Sequence, residues 1–320
     1  MGIADLPEIK LARRIIKKHN LTIPFDLDGL IREYAKLIYK EIPIRGVDGV
    51  SVNLKVPGKR PTIIVNSSLP SARRKFTLAH ELGHIIIPWH LGTIVDELYT
   101  QEYKAYAYSL IEREANGFAA ELLLPRDWIL EHVRNYNTIA LFHADAVRIS
   151  GMSDQAAAIR LIDTLPSNII YVAELWNVLH SGKTNGTPAH LPLPGERFDK
   201  KRYPYFDEYD LYQGGNNYHW WKLSNKIEID VEDSRTWKEI LLDMLSEIYP
   251  VNQIEQARKS INGIMAAAHA NVKRTDDYSV DSVTMACIHS LRRPDFNKFS
   301  LHGDFEKFVK LRSMDFFKSK

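Results

Sequence analysis

The stretch FTLAHELGHII, residues 76–86, decides how the rest of the chain is read. It contains His80, Glu81 and His84 in the pattern HExxH. On a helix, positions four apart lie on one face, so both imidazoles can point at a single ion. Imidazole nitrogens suit zinc, which makes Zn2+ the expected cofactor. Glu81 is offset by one position and can act on water beside the ion without binding it. Phe76, Leu78, Leu82, Ile85 and Ile86 supply apolar anchoring for a buried helix, and Gly83 permits close approach of a neighbouring element. A helix whose histidines merely pack or hydrogen-bond is the competing reading, and the five-residue motif by itself does not separate the two.

A catalytic zinc site needs a third protein ligand and an open position. The run EREAN, residues 112–116, offers one on the next strong helical pattern. Glu112 and Asn116 are four apart and share a face. Glu112 can complete the ligand set, while Asn116 can hydrogen-bond a metal-bound histidine or the nearby backbone. Glu114 points about 200° around the helix from Glu112, so the two cannot serve equally. Glu112 is preferred because its i+4 partner is polar; Glu114 stays open as the alternative. The residues do not identify an oxyanion donor: His90, His132, His143 and the tyrosines of 103–108 are candidates, each more readily structural.

Working outward, Ile9, Ala12, Ile15 and Ile16 form one helical stripe. Asp26 is placed to cap a second helix with Leu27, Leu30, Ile31, Tyr34 and Leu37 on its apolar face. VSVNLKV (50–56) and TIIVN (62–66) read as two strands joined at Pro57 and Gly58, a hairpin. If the second strand lies at a sheet edge, it can pair with an extended substrate. Helices are expected over 71–87, 105–122 and 127–134, with two more in 136–163, the last starting at Ser153 as its N-cap. After Pro166 the texture changes. IIYVAELW (169–176) resembles a strand, 181–195 a loop or linker, and IEIDV (227–231) a strand; 237–249, 254–272 and the C-terminal stretch read as helices.

Composition narrows the class. Hydrophobic residues make up 45% and charged residues 26% of the 320, which excludes a disordered or fibrous chain. A net charge of +2 gives no electrostatic drive onto nucleic acid. Residues 252–320 carry twelve basic against eight acidic side chains, too small an excess to claim DNA binding. The one cysteine, Cys287, excludes an internal disulfide and any multi-cysteine metal site, and its apolar setting reads as a buried thiol. No signal peptide and no membrane-spanning run is read, so a cytoplasmic setting is expected.

RRKFTLAHELGH (73–84) followed by EREANGFAAELLLP (112–125) closely resembles the ImmA/IrrE family of metallo-endopeptidases. The resemblance takes in the lead-in helices and hairpin and continues into VRISGMSDQAAAIRL (147–161), roughly residues 10–165 in all. That last segment carries extra residues relative to the shorter family version. The resemblance implies an α+β fold: a zincin-like metallopeptidase domain over 1–166, with a small antiparallel sheet and an active-site helix. A mixed, largely helical C-terminal domain over 167–320 would sense a signal or bind the substrate or partner. It implies zinc on His80, His84 and Glu112, Glu81 as general base and Asn116 as support. The implied substrate is a protein, a DNA-binding helix-turn-helix repressor in phage or stress regulation. The alternative function is a zinc-stabilised sensor or interaction module, in a repressor, toxin–antitoxin or phage system, that cleaves nothing.

Overall fold

Two amphipathic helices begin the part of the chain that the structure describes. The structure is a computed structural model and describes residues 6–95, 102–187, 189–198, 206–223, 229–274 and 278–318. The first helix, α1 (Pro7–Lys18), has Pro7 in its first turn, where the missing N–H costs nothing, and Lys17 and Lys18 in its last. Asp26 caps α2 (Leu27–Tyr34), its side chain accepting from the Gly29 N–H at 3.0 Å. The helix ends at Tyr34 rather than reaching Leu37. Ala35 is extended, and Leu37 lies instead in strand β1 (Lys36–Lys40).

Strand β2 (Gly49–Leu54) and strand β3 (Thr62–Asn66) form the expected hairpin, with Gly58 at φ 74° in the turn, a conformation that glycine adopts without strain. The sheet is completed by β4 (Gly92–Val95) and runs β1-β3-β2-β4. It is mixed, not antiparallel: β1 pairs parallel to β3, Lys36 opposite Thr62 through Lys40 opposite Asn66. The chain reverses once between β1 and β2 and again between β2 and β3, so β1 and β3 point the same way and lie side by side. This also removes β3 as a partner for an extended substrate, because it is flanked on both sides.

Helix α3 (Ser71–Ile86) lies against β2, β3, α2 and the long helix α4 (Glu102–Leu123). Everything from Thr77 to His84 is buried, so every polar group there needs a partner. A Cβ on Gly83 would meet Phe118 Cδ1 at 3.2 Å and Ala115 Cα at 3.4 Å; the glycine is what lets α4 lie this close. There follow α5 (Arg126–His132), a short 3-10 turn over Val133–Asn135, α6 (Ile139–Ser150) and α7 (Asp154–Thr164). Thr138 caps α6, Gly151 ends it at φ 66°, and Ser153 Oγ accepts from the Ala156 N–H at 3.3 Å at the start of α7. A buried ion pair ties three of these helices. Glu121 of α4 accepts from Arg160 of α7 and, at 2.7 Å, from Arg13 of α1; Arg160 also donates to the Leu124 carbonyl at 3.0 Å.

The chain divides into two units, Met1–Thr164 and Leu165–Lys320. The second holds an antiparallel sheet of β5 (Ile169–Glu174), β6 (Val178–Lys183), β7 (Phe206–Gln213) and β8 (Asn216–Leu223), in the order β6-β5-β8-β7. The 181–195 segment, read as loop, therefore begins as an edge strand: Lys183 pairs with Ile170. Of the expected strand at 227–231, residues 227 and 228 lie outside the described residues, and 229–231 are irregular. Helices α8 (Trp237–Ile248), α9 (Val251–Val272), α10 (Val280–Leu291), α11 (Asn297–Ser300) and α12 (Phe305–Lys318) enclose an apolar core that includes Met244, Ile261, Met265, Ile288 and Phe308. Cys287 is buried in that core, and burial pushes its thiol up to about 12. Among the described residues no helix is long and apolar enough to cross a membrane.

Candidate metal centre

The second half of α3 and the middle of α4 bring His80, His84 and Glu112 together; one ligand atom from each lies within 4.8 Å of the others. His80 Nε2 is 2.9 Å from His84 Nε2 and 3.0 Å from Glu112 Oε2, and His84 Nε2 is 3.5 Å from Glu112 Oε1. Donors on a tetrahedral ion with bonds of about 2.0–2.1 Å stand roughly 3.3 Å apart. The spacing fits.

His80 Nδ1 lies 2.9 Å from Asn116 Oδ1, an acceptor, so this nitrogen carries the proton and Nε2 is bare. His84 Nδ1 lies 2.8 Å from His90 Nδ1. If His84 donates there, its Nε2 is bare as well. Two lone pairs and a carboxylate then face one another, a repulsive arrangement without a cation between them. Glu112 Oε1 is buried and has no hydrogen-bond partner among the described residues. Burial, with His80 and His90 beside it, lowers the His84 pKa well below the usual histidine range, which keeps the ring neutral as a ligand must be. The donor set and its protonation suit a divalent metal ion.

Glu81 is 1% exposed and faces β2, where Ser51 Oγ donates to its Oε2. A Cβ on Gly49 would collide with Glu81 Oε1, so the absence of a side chain at 49 makes the slot for this carboxylate. Glu114 is not in the cluster: its Oε2 takes hydrogen bonds from Trp89 Nε1 at 2.6 Å and His90 Nε2 at 2.9 Å. His132 bonds the Trp128 carbonyl and stacks on that indole, and His143 bonds the Asp154 carbonyl, both local structural contacts. The side chains of 103–108 lie outside the described residues. Arg73 pairs with Asp48 at the approach to β2.

Three residues escape a motif search. Gly49 and Ser51 are two apart on β2 and so share a face; the available signal is a buried small residue and a buried hydroxyl at alternating positions. Lys55 donates to the His84 carbonyl at 2.6 Å, and burial lowers its pKa to about 8. No spacing in the sequence points to it.

The comparisons with known proteins fall on this same region. The profile of Peptidase_M78, described as the IrrE N-terminal-like domain, matches residues 35–161. An uncharacterized immunity region protein 2 of Bacillus phage phi105 is 31% identical over 123 residues, 38% of this chain and 71% of the phage protein. A radiation response metalloprotease IrrE of Deinococcus radiodurans is 30% identical over 138 residues, covering 39% of this chain and 40% of that one. Its namesake in Deinococcus deserti is 25% identical over 138 residues, with 40% and 48% covered. The chain thus spans most of the phage protein but less than half of either Deinococcus protein. With the matched segment enclosing the His80–His84–Glu112 cluster, the chain belongs to the ImmA/IrrE family, a family of metalloprotease type.

Proposed function

We propose that this chain is a zinc-dependent endopeptidase with a zincin-like catalytic unit, in which His80, His84 and Glu112 hold the ion and Glu81 is the general base. The observation that carries the reading is the convergence of two imidazole nitrogens and a carboxylate, with the opposite nitrogen of each ring engaged on the outside. Zinc, when bound, supplies a Lewis acid that polarises a peptide carbonyl and makes water more acidic. The chain's own part is proton handling. The Glu81 carboxylate takes the proton of the attacking water and delivers it to the leaving amine. Ser51 holds Oε2, and the missing side chain of Gly49 leaves room for Oε1. Asn116 keeps His80 in the tautomer that leaves Nε2 free for the metal.

The substrate we infer is a helix-turn-helix DNA-binding repressor, cut in the cytoplasm. The name of the phage relative, an immunity region protein, and the radiation response named in the Deinococcus relatives both support a regulatory target. All the site residues lie in the first unit, so we assign the second, Leu165–Lys320, to binding the substrate or a signal. Zinc-loaded protein, incubated with a repressor encoded beside its gene, is expected to give two discrete fragments. Chelation should abolish cleavage, and one equivalent of zinc should restore it. Cleavage that survives complete metal removal contradicts the reading. Stoichiometric zinc with the repressor bound but intact favours an interaction module instead.

A further inference from the structure

Behind His84, on the side away from the proposed ion, a second histidine and a second carboxylate stand in line. Ile87 ends α3 in an extended conformation, and Pro88 cannot continue the helix. A turn with the His90 N–H on the Ile87 carbonyl at 3.3 Å folds the chain back, and His90 is fully buried against His84, ring centroids 4.9 Å apart. The row then reads Glu114 Oε2 to His90 Nε2 at 2.9 Å, and His90 Nδ1 to His84 Nδ1 at 2.8 Å. Trp89 Nε1 donates to the same Glu114 oxygen at 2.6 Å and fixes it in place.

We propose that His90 and Glu114 are positioning residues: a carboxylate–imidazole relay that fixes the tautomer and ring plane of His84 and so sets how tightly the centre holds its cation. The proposal rests on the metal-site reading above. Each proton in the row is forced by the one before it. A metal on His84 Nε2 requires the His84 proton on Nδ1. That proton points at His90 Nδ1, which must then be bare. The His90 proton is therefore on Nε2, aimed at Glu114, whose carboxylate accepts it. Negative charge at the far end raises the donor strength of His84 through both hydrogen bonds. Glu112 and Glu114 thus serve the same centre from different sides of α4, one directly and the other through two imidazoles. Their angular separation, which argues against both binding one ion, is what this division of labour needs.

The test measures zinc affinity of the full chain by competition with a chromophoric chelator, for wild type, His90→Phe, Glu114→Gln and the double variant. His90→Phe is expected to weaken zinc binding by about 10- to 100-fold, and Glu114→Gln by about 10-fold. Because Glu114 acts through His90, the double variant should be no weaker than His90→Phe alone. The visible spectrum of the cobalt-substituted protein should shift in each variant, a change that general loosening of the fold would not specifically produce. Glu114 is partly exposed, so its substitution reports on the relay even if His90→Phe folds poorly. Wild-type affinity and an unshifted cobalt spectrum in Glu114→Gln, or additive losses in the double variant, overturn the relay. A wild-type chain that takes up no stoichiometric zinc overturns the metal-site reading instead, so the two failures are distinguishable.

Discussion

Replacing Glu81 with glutamine is expected to slow peptide hydrolysis by about 10²- to 10⁴-fold, the range for loss of a general base, with zinc still bound. The amide matches the carboxylate in shape and can still accept from Ser51, so the buried slot between α3 and β2 stays filled. What it lacks is an oxygen basic enough to take a proton from water. Retained metal is expected because the proposed coordinating set is His80, His84 and Glu112, with Glu81 outside that cluster. Turnover measured on metal-loaded wild type and variant, beside zinc content by atomic absorption, checks both halves. Equal turnover would remove Glu81 from the role; lost zinc would show that the carboxylate holds the ion rather than the proton.

The second large effect is on stability. Arg160→Met is expected to destabilise the first unit by about 3–5 kcal/mol, because removing one partner of a buried ion pair leaves the other charge poorly compensated. Arg160 and Glu121 are 5% and 1% exposed, and Arg160 also satisfies the Leu124 carbonyl at the end of α4. Arg13 remains on Glu121 at 2.7 Å, which favours the lower end of that range. The lost contacts join α7 to α4, which carries Glu112, so zinc affinity should fall along with the midpoint of urea denaturation. A midpoint unchanged in the metal-free protein would mean that the charge is solvated after all.

Much of the site is legible in the sequence because helical periodicity is rigid. A spacing of four from His80 to His84, and from Glu112 to Asn116, leaves little freedom in where each pair points. What periodicity cannot supply is the rotation of α4 about its own axis, which decides between Glu112 and Glu114. That rotation is fixed by packing, where Gly83 admits Phe118 and Ala115. The same limit applies to Leu37. Its spacing from Leu30 and Tyr34 suits a helix, but pairing with β3 makes it strand. The parallel β1–β3 ladder, the strand at 178–183 and the seat of Glu81 against Gly49 and Ser51 all depend on contacts distant in sequence. His90 is visible as a histidine, but its alignment with His84 and Glu114 follows from how the chain turns after Pro88.

X-ray absorption at the zinc edge tests the central claim most directly. Protein loaded with one equivalent of zinc should give a spectrum fitted by two imidazoles and a carboxylate oxygen, with bonds near 2.0–2.2 Å, and His84→Ala should lose one imidazole contribution or the metal itself. A spectrum that needs no imidazole, or one that His84→Ala and Glu112→Gln both leave unaltered, would contradict it.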